Sequence, residues 1–325
     1  AEGGLGSVLW AGPESLQGAR RTGVVQGTTR TGPISLRVGV GGRDLGYLID
    51  LGLPRPDDTS AFNRDPEIKR ESVWIGPVMR ASTLLARRRW SRGEVRDDGP
   101  WEPLPRSLPT HRSLLEGDEL PELRRLRGEL ADWRFYDTLR VDGDSPARRP
   151  RVGTRTWALA DDGADLAAAL QTIIEVGKEP ILGAVADAFP GSEVRIRSED
   201  GLFDVELAQP GMLRPLRSAE LSDGTLRYLM LVAALMAPEL PGIVALNEPE
   251  NSLHPSILPP LGRLVAHAGA RTQVMLVTHS TALLDAVAEA AGDGLEHVEL
   301  AKDLGETVVV GQGLLSRPAW EWGSR

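Results

Sequence analysis

The sequence predicts an α/β protein that combines a parallel core sheet with antiparallel strands. In the last third of the chain, continuous apolar segments such as 243–246 and 274–277 alternate with helical segments, which is typical of parallel strands covered on both faces. In the first third, short apolar runs alternate with turn residues, which is typical of antiparallel strands. Residues 81–160 differ from both parts and predict an inserted, mostly helical subdomain.

Composition excludes several classes of protein. The 325 residues are 41% hydrophobic and include no cysteine, so disulfides and thiolate metal sites are excluded. No apolar run approaches the roughly 20 residues that span a bilayer, which predicts a cytoplasmic protein without a membrane partner. The net charge of −9 argues against a surface that binds nucleic acid throughout. Local basic patches at 87–89 and 148–151 remain candidates, although solvated loops are the commoner interpretation.

Residues 1–80 are predicted to form the antiparallel β part of the main lobe. Strands are expected at 24–25, 34–40 and 47–51, and the Gly-Gly-Arg-Asp segment at 41–44 predicts a hairpin between the last two. A further strand is expected at 67–75, since Gly76-Pro77 follows it.

Residues 81–160 are rich in arginine, proline and acidic residues and show little apolar periodicity. One helix is expected from Pro121 to Leu139, with proline in its first turn. Its apolar face would carry Leu123, Leu126, Leu130 and Trp133. We therefore expect this region to form a mobile arm or lid.

Residues 161–325 are predicted to form the core. Expected helices span 165–176, 180–188, 226–236, 255–268 and 282–291. Buried strands are expected at 243–246 and 273–278. Antiparallel hairpins are expected from 194–197 with 203–207 and from 298–300 with 307–310.

Three short segments carry candidate chemistry. The strand at 243–246 is followed by Asn247 and Glu248, and ligands of parallel sheets lie beyond the carboxyl ends of the strands. A glutamate there can orient or deprotonate a water molecule in nucleotide hydrolysis. A strand that simply ends in polar residues is an equally good interpretation of this segment alone.

His279 ends the next predicted strand, where an imidazole could donate a hydrogen bond to a γ-phosphate. For this residue alone, local packing or capping is the better interpretation. The segment 221–225 opens a predicted helix with a hydroxyl, a glycine and free backbone N–H groups, which together favour an anion. An ordinary helix cap is the alternative.

Taken together, the segments resemble the motifs of ABC/SMC/RecF-like ATPases, in particular the bacterial "predicted ATPase" AAA proteins of the domain-21 type. The matching segments are, in chain order, the signature at Leu221–Thr225, the Walker B strand at Ile243–Glu248, the D-loop at Asn251–Pro255 and the switch histidine His279. The run from Leu246 to Pro255 is the most specific. The segments 133–137 and 163–166 are also similar to this group.

The resemblance implies ATP hydrolysis with Mg²⁺. It implies that Glu248 is the base for water, that His279 senses the γ-phosphate and that Asn247 lies at the metal. Nucleotide contacts are implied for the signature and D-loop residues Ser222, Asp223, Gly224, Ser252 and His254. Because ABC-type sites are shared between two subunits, the resemblance also implies an ATP-dependent head-to-tail homodimer, with a DNA-related or defence partner such as a nuclease.

The sequence departs from the family pattern in two respects. No G-x-x-x-x-G-K-[ST] loop occurs in it, and we expect the chain to begin inside a domain, with roughly 50 residues of strand, loop and helix before it. Asn247 also replaces the usual aspartate, which lowers the expected affinity for Mg²⁺. Two alternatives therefore stand beside the ATPase: a nucleotide-gated dimerisation switch or scaffold with little turnover, and a pseudo-ATPase that binds no nucleotide.

Overall fold

A computed structural model describes residues 35–55, 57–63, 65–137, 139–303 and 306–311. The described residues divide into two compact units, one of residues 35–131 with 297–311 and the other of residues 132–296. These divisions differ from the predicted boundaries at 80 and 160. The predicted strand at 24–25 lies outside the described residues.

The first unit is built on a six-stranded antiparallel sheet in which every strand pairs with its neighbour in sequence. The strands are β1 (Ser35–Gly41), β2 (Leu45–Gly52), β3 (Glu67–Ile75), β4 (Leu84–Arg89), β5 (Arg92–Val95) and β6 (Glu102–Pro103). The predicted strands at 34–40, 47–51 and 67–75 are confirmed. One helix, α1 (Pro121–Ala131), follows the sheet in the same unit.

The expectation of a mostly helical insertion at 81–160 is wrong. β4 pairs with β3 through five residue pairs, so residues after 80 continue the sheet. The weak apolar periodicity of this region has a physical cause. Arg88 occupies an inward position of β4 and is fully buried there because Glu71 on β3 accepts a hydrogen bond from it.

The core of the first unit lies between the sheet and α1. Buried apolar side chains from the strands meet those of the segment 114–126, namely Leu45, Tyr47, Val73, Ala86, Leu114, Leu115, Leu120, Leu123 and Leu126. The Glu71 carboxylate lies in this core and accepts from Tyr47 Oη at 2.6 Å, Ser113 Oγ at 2.5 Å and the Leu114 N–H at 2.9 Å. Burial raises the pKa of Tyr47, and the adjacent carboxylate adds to this shift.

The second unit contains a three-stranded parallel sheet with the order β13, β12, β7, formed by β7 (Arg134–Tyr136), β12 (Ile243–Asn247) and β13 (Gln273–Val277). A four-stranded antiparallel sheet consists of β8 (Arg151–Val152), β9 (Glu193–Glu199), β10 (Leu202–Ala208) and β11 (Leu216–Arg217). The helices are α2 (Leu166–Ala188), α3 (Asp223–Leu235), α4 (Leu258–Gly269) and α5 (Thr281–Ala291). The fold class is therefore α/β, as predicted.

The helix predicted from 121 to 139 ends earlier than expected, at Ala131. Residues 134–136 instead form β7, an edge strand of the parallel sheet. Tyr136 is buried in this strand and donates a hydrogen bond from its hydroxyl to the carbonyl of Leu159 at 2.9 Å. The burial of the Tyr136 ring and the hydrogen bond of its hydroxyl thus favour a strand here, despite the helical periodicity of the segment.

The two predicted helices at 165–176 and 180–188 are joined in α2, which is interrupted by extended backbone at Gly177 and contains Pro180. α3 is the most buried helix of this unit, since every residue from Tyr228 to Leu235 is almost inaccessible. A helix that is apolar on all sides is expected at the centre of a core. The antiparallel pair β9 and β10 confirms the predicted hairpin at 194–197 and 203–207.

The parallel sheet has one covered and one exposed face. Val244 and Leu246 of β12 point into the core and are fully buried. On the opposite face, Phe135, Met275 and Val277 are 54%, 51% and 47% exposed. Parallel sheets usually have both faces covered, so this apolar face is unusual.

The described helices are all too short or too polar to cross a bilayer. The last hairpin, β14 (Leu300–Asp303) with β15 (Glu306–Val309), belongs to the first unit and confirms the predicted pairing in this region.

Candidate functional site

The candidate site lies at the carboxyl ends of β12 and β13. The strands are parallel neighbours in register, with Asn247 opposite Val277, and β12 is the central strand of its sheet. The Glu248 N–H donates to the carbonyl of Val277 at 2.8 Å, which extends the pairing by one residue. The predicted positions of Asn247 and Glu248 on a central strand, and of His279 beyond an adjacent one, are confirmed.

The Glu248 carboxylate is held from two sides. His279 Nε2 lies 3.2 Å from its Oε1, and the Asn251 side-chain amide donates to its Oε2 at 2.9 Å. The carboxylate is 35% exposed and the imidazole 86% exposed, so both groups can reach a ligand. Glu248 has a φ of +46°, an uncommon conformation for glutamate that tends to be retained at functional sites.

Glu250 links this loop to the next strand end. Its Oε1 accepts a hydrogen bond from Thr278 Oγ1 at 2.5 Å, and Thr278 Oγ1 in turn accepts from the Ser280 N–H at 2.9 Å. Ser280 then caps α5, since its Oγ accepts from the Leu283 N–H. Sequence reasoning missed the roles of Glu250 and Thr278, although Glu250 lies inside the run 246–255 and Thr278 directly precedes His279.

Arg227 of α3 extends this polar cluster into the core. Burial lowers the pKa of its guanidinium, and the Glu250 carboxylate opposes that shift. One guanidinium nitrogen donates to the Leu139 carbonyl at 3.0 Å. Within the described part of the chain, Arg227 Nε and Glu250 Oε2 are buried without a hydrogen-bond partner. Arg227 and Glu250 are half-buried and have opposite charges, and one polar atom of each remains available for a hydrogen bond beside the site.

The segment 221–225 begins α3 with an ordinary serine cap. Ser222 Oγ accepts from the Thr225 N–H at 3.2 Å. Asp223 Oδ1 accepts from Arg148 at 2.6 Å, and Arg148 also donates to the carbonyl of Leu221 at 2.6 Å. Arg148 therefore fixes the start of α3, and its side chain is only 10% exposed. Of the predicted basic patch at 148–151, Arg148 therefore has a structural role, since its guanidinium bonds to the start of α3.

Gly224 permits a close approach between α3 and the loop after β12. A Cβ atom at this position would lie 2.6 Å from the backbone oxygen of Ser252, closer than real contacts allow. Ser252 itself has a φ of +67°, which turns the loop toward the helix. Glycine at 224 is thus required by packing, independently of any ligand.

The predicted site residues fall into two groups. Asn247, Glu248 and His279 lie at the strand ends, whereas Ser222, Asp223, Gly224, Ser252 and His254 line an open concave surface. His254 is engaged locally, with its Nδ1 2.8 Å from Ser256 Oγ. The loop 248–255 connects the two groups. Its Asn251 donates a hydrogen bond to Glu248, and its Ser252 lies against Gly224.

Asn247 is the candidate metal ligand, and its exposed side chain offers one neutral oxygen next to Glu248. Mg²⁺ in nucleotide sites takes one or two protein oxygens and completes its shell with phosphates and water, so this donor fits. A group of three or more His, Asp or Glu side chains able to hold a metal ion is absent from the described residues.

The family described as "AAA domain, putative AbiEii toxin, Type IV TA system" matches residues 47–285. The match includes both groups of site residues and covers well over half of the chain. The chain belongs to this AAA-domain family. AAA-domain proteins of this kind are ATPases, so the nucleotide-binding type of function follows from the family. No curated protein matches this AAA-domain chain in sequence.

Several solved structures are similar to this AAA-domain protein at low identity. An SMC head bound to the C-terminal winged-helix domain of ScpA is 10% identical, with a TM-score of 0.41, covering 84% of this chain and 76% of that one. The SMC head domain of Thermotoga maritima is 13% identical, with a TM-score of 0.34, covering 83% and 75%. An SMC head with an extended coiled coil, bound to the C-terminal domain of ScpA from Pyrococcus furiosus, is 10% identical, with a TM-score of 0.39, covering 82% of this chain and 77% of that one.

Proposed function

We propose that this protein is an ABC-type ATPase that binds and hydrolyses ATP in a head-to-tail dimer. One observation carries the proposal: the Glu248 carboxylate lies at the carboxyl end of the central parallel strand, with His279 Nε2 3.2 Å away. This pair combines a hydrogen-bond acceptor for water with a donor for phosphate at the edge of the sheet where nucleotides bind.

In the proposed reaction, a water oxygen bonds to the γ-phosphorus while the bond between that phosphorus and the bridging oxygen of ADP breaks. Glu248 accepts the proton of the attacking water. Asn251 donates to the other carboxylate oxygen and thereby orients the group. His279, whose Nε2 lies beside the Glu248 carboxylate, would donate to the γ-phosphate of ATP.

The second group of residues supports the dimer. Ser222, Gly224 and Ser252 line a concave surface at the N-terminus of α3, where backbone N–H groups and the helix dipole favour a phosphate. We propose that this surface contacts the γ-phosphate of a nucleotide held by the other subunit. The loop 248–255 would then connect the two nucleotides of the dimer.

Mg²⁺ would be held by the Asn247 oxygen together with the phosphates. When bound, it supplies positive charge to the phosphates. Because the amide oxygen carries no charge, Asn247 favours a second candidate function, in which ATP gates dimerisation and a nuclease or DNA-bound partner is controlled with little turnover.

Replacement of Glu248 by Gln tests the proposal. The amide cannot accept the proton, so turnover should fall by roughly 10²-fold or more, while ATP binding persists because Glu248 does not hold the phosphates. Turnover and ATP binding would be measured for both proteins in a form that includes any residues encoded before Ala1.

Glu289→Gln is the matched control, since it removes an exposed carboxylate on α5, away from the strand ends. Wild-type turnover in Glu248→Gln would exclude Glu248 as the base. Negligible turnover in the wild type, together with ATP-dependent dimers, would favour the gating function.

A further inference from the structure

One row of side chains crosses the antiparallel sheet of the first unit. Reading from β1 to β5, directly opposed residues are Arg37, Asp50, Arg70, Arg89 and Arg92. Directly opposed residues of a sheet point to the same face, with Cβ atoms about 4.5–5.5 Å apart. Four guanidinium groups and one carboxylate therefore share a single face of the sheet.

The acidic residue of the row lies near its β1 end. Asp50 is buried, accepts from Ser35 Oγ at 2.8 Å and lies 3.7 Å from Arg37 Nε. At the other end, Arg89 on β4 and Arg92 on β5 lie directly opposite each other. Like charges directly opposite one another are destabilising, so this pair costs stability unless an anion lies over it.

At the β4–β5 end of this row, Arg89 and Arg92 are exposed. Within the described residues, neither side chain forms a hydrogen bond or an ion pair. The neighbouring row differs, because Arg87 there is opposed to Glu94 and pairs with it at 2.6 Å. The uncompensated charge is thus concentrated at the β4–β5 hairpin.

Two tryptophans near the hairpin indicate which anion fits. The guanidinium groups of Arg87 and Arg96 lie 4.1 and 4.9 Å from the Trp101 ring centroid. Lys69 Nζ lies 4.4 Å from the Trp90 ring centroid. Proteins that bind single strands stack bases on free aromatic rings, whereas these rings already have cations over them. Because the rings are not free to stack on bases, the arrangement favours contact with the phosphates of a duplex, in which the bases remain paired.

We propose that the β4–β5 face binds the backbone of duplex DNA through Arg89 and Arg92, without reading the sequence. Arginine presents a planar fork of N–H groups that matches phosphate oxygens, and adjacent strands hold two such forks at fixed spacing. Because the whole chain carries a charge of −9, a polyanion would approach only such a local cationic face. The inference rests on the second candidate function, in which the controlled partner is bound to DNA, and this face would hold the protein on the same DNA.

Fluorescence anisotropy with a labelled 30-base-pair duplex tests the inference, at several salt concentrations and without nucleotide. The variants are Arg89→Ala, Arg92→Ala and the control Arg124→Ala. Arg124 is exposed on α1, which packs against the opposite face of the sheet, so the control removes the same charge from the same unit.

Each hairpin variant should bind the duplex several-fold more weakly than the wild type. The slope of log K against log salt should fall by about 0.9 for each lost phosphate contact. Arg124→Ala should bind as the wild type does, and circular dichroism should be the same for all three variants. Arg89→Lys should restore part of the affinity, since it restores the charge.

Three results would overturn the inference: no binding of the duplex by the wild type at low salt, equal losses in all three variants, or tighter binding of a single strand than of the duplex. Since ATP is absent from the assay, the result does not depend on turnover. A failure of DNA binding would leave the Glu248 experiment unaffected, and the reverse is also true.

Discussion

His279 Nε2 and Glu248 Oε1 lie 3.2 Å apart, although they belong to loops that follow different strands. The contact results from the parallel register of β12 and β13, which brings both strand ends to one edge of the sheet. Glu248 keeps two other supports, the Asn251 amide and the backbone bond to Val277. His279 is therefore not needed to hold Glu248 in place.

His279→Ala should consequently lower ATP turnover while leaving the free energy of unfolding almost unchanged. The pair is largely exposed, so the free energy of unfolding should change by less than about 1 kcal/mol. ATP turnover should fall by roughly 10²-fold, because a donor to the γ-phosphate is lost. His267→Ala, which removes an exposed histidine of α4, should change neither quantity. Unimpaired turnover in His279→Ala would argue against a phosphate contact.

Ser222→Arg should prevent ATP-dependent dimers, because it places a long side chain on the concave surface proposed to receive the partner's nucleotide. The substitution also removes the cap of α3, which costs about 1 kcal/mol. Ser222→Ala removes the cap alone and should still dimerise with ATP. Light scattering coupled to size exclusion would measure both. Normal dimers in Ser222→Arg would contradict the shared site.

Gly224→Ala should destabilise the protein by about 1–2 kcal/mol. The new methyl group would lie 2.6 Å from the Ser252 oxygen, and the cost of such overpacking exceeds the gain in helix propensity. Gly183→Ala is the matched control, since nothing lies within 4 Å of the added atom in α2. It should stabilise by up to about 1 kcal/mol. Thermal unfolding of both variants would reveal opposite signs, and equal signs would disprove the contact.

Glu71→Gln should destabilise the first unit by about 3–5 kcal/mol, the usual cost of breaking a buried ion pair. The amide leaves Arg88 buried without a counter-charge and turns an N–H₂ group toward other donors. Arg87→Gln breaks the exposed pair with Glu94 on the same strand and should cost less than 1 kcal/mol. Denaturant unfolding followed by tryptophan fluorescence would compare them. A small effect of Glu71→Gln would mean that water or rearrangement satisfies Arg88.

The parallel core could be predicted because it depends on local patterns. The segments 243–246 and 274–277 are uninterrupted apolar runs, and their polar ends identify the edge of the sheet where Glu248 and His279 meet. Hairpins such as β9–β10 follow from strict alternation. These signals need no knowledge of distant residues.

The region 81–131 could not be predicted in the same way, because its burial depends on partners far away in sequence. From the sequence alone, Arg88 is predicted to lie on the surface, because its burial depends on the ion pair with Glu71. The three residues of β7 are too few for a periodic signal, and their pairing with β12 defines them. Arg148 and Thr278 likewise make tertiary contacts, with partners that the local sequence pattern does not indicate.

The exposed apolar face of the parallel sheet has a practical consequence for the dimer experiments. Phe135, Met275 and Val277 form an exposed apolar surface that favours non-specific association at high protein concentration. Such association should bind hydrophobic dyes, should be relieved by mild detergent and should not respond to ATP. Only the part of any self-association that appears with ATP and disappears in Ser222→Arg therefore reports on the shared site.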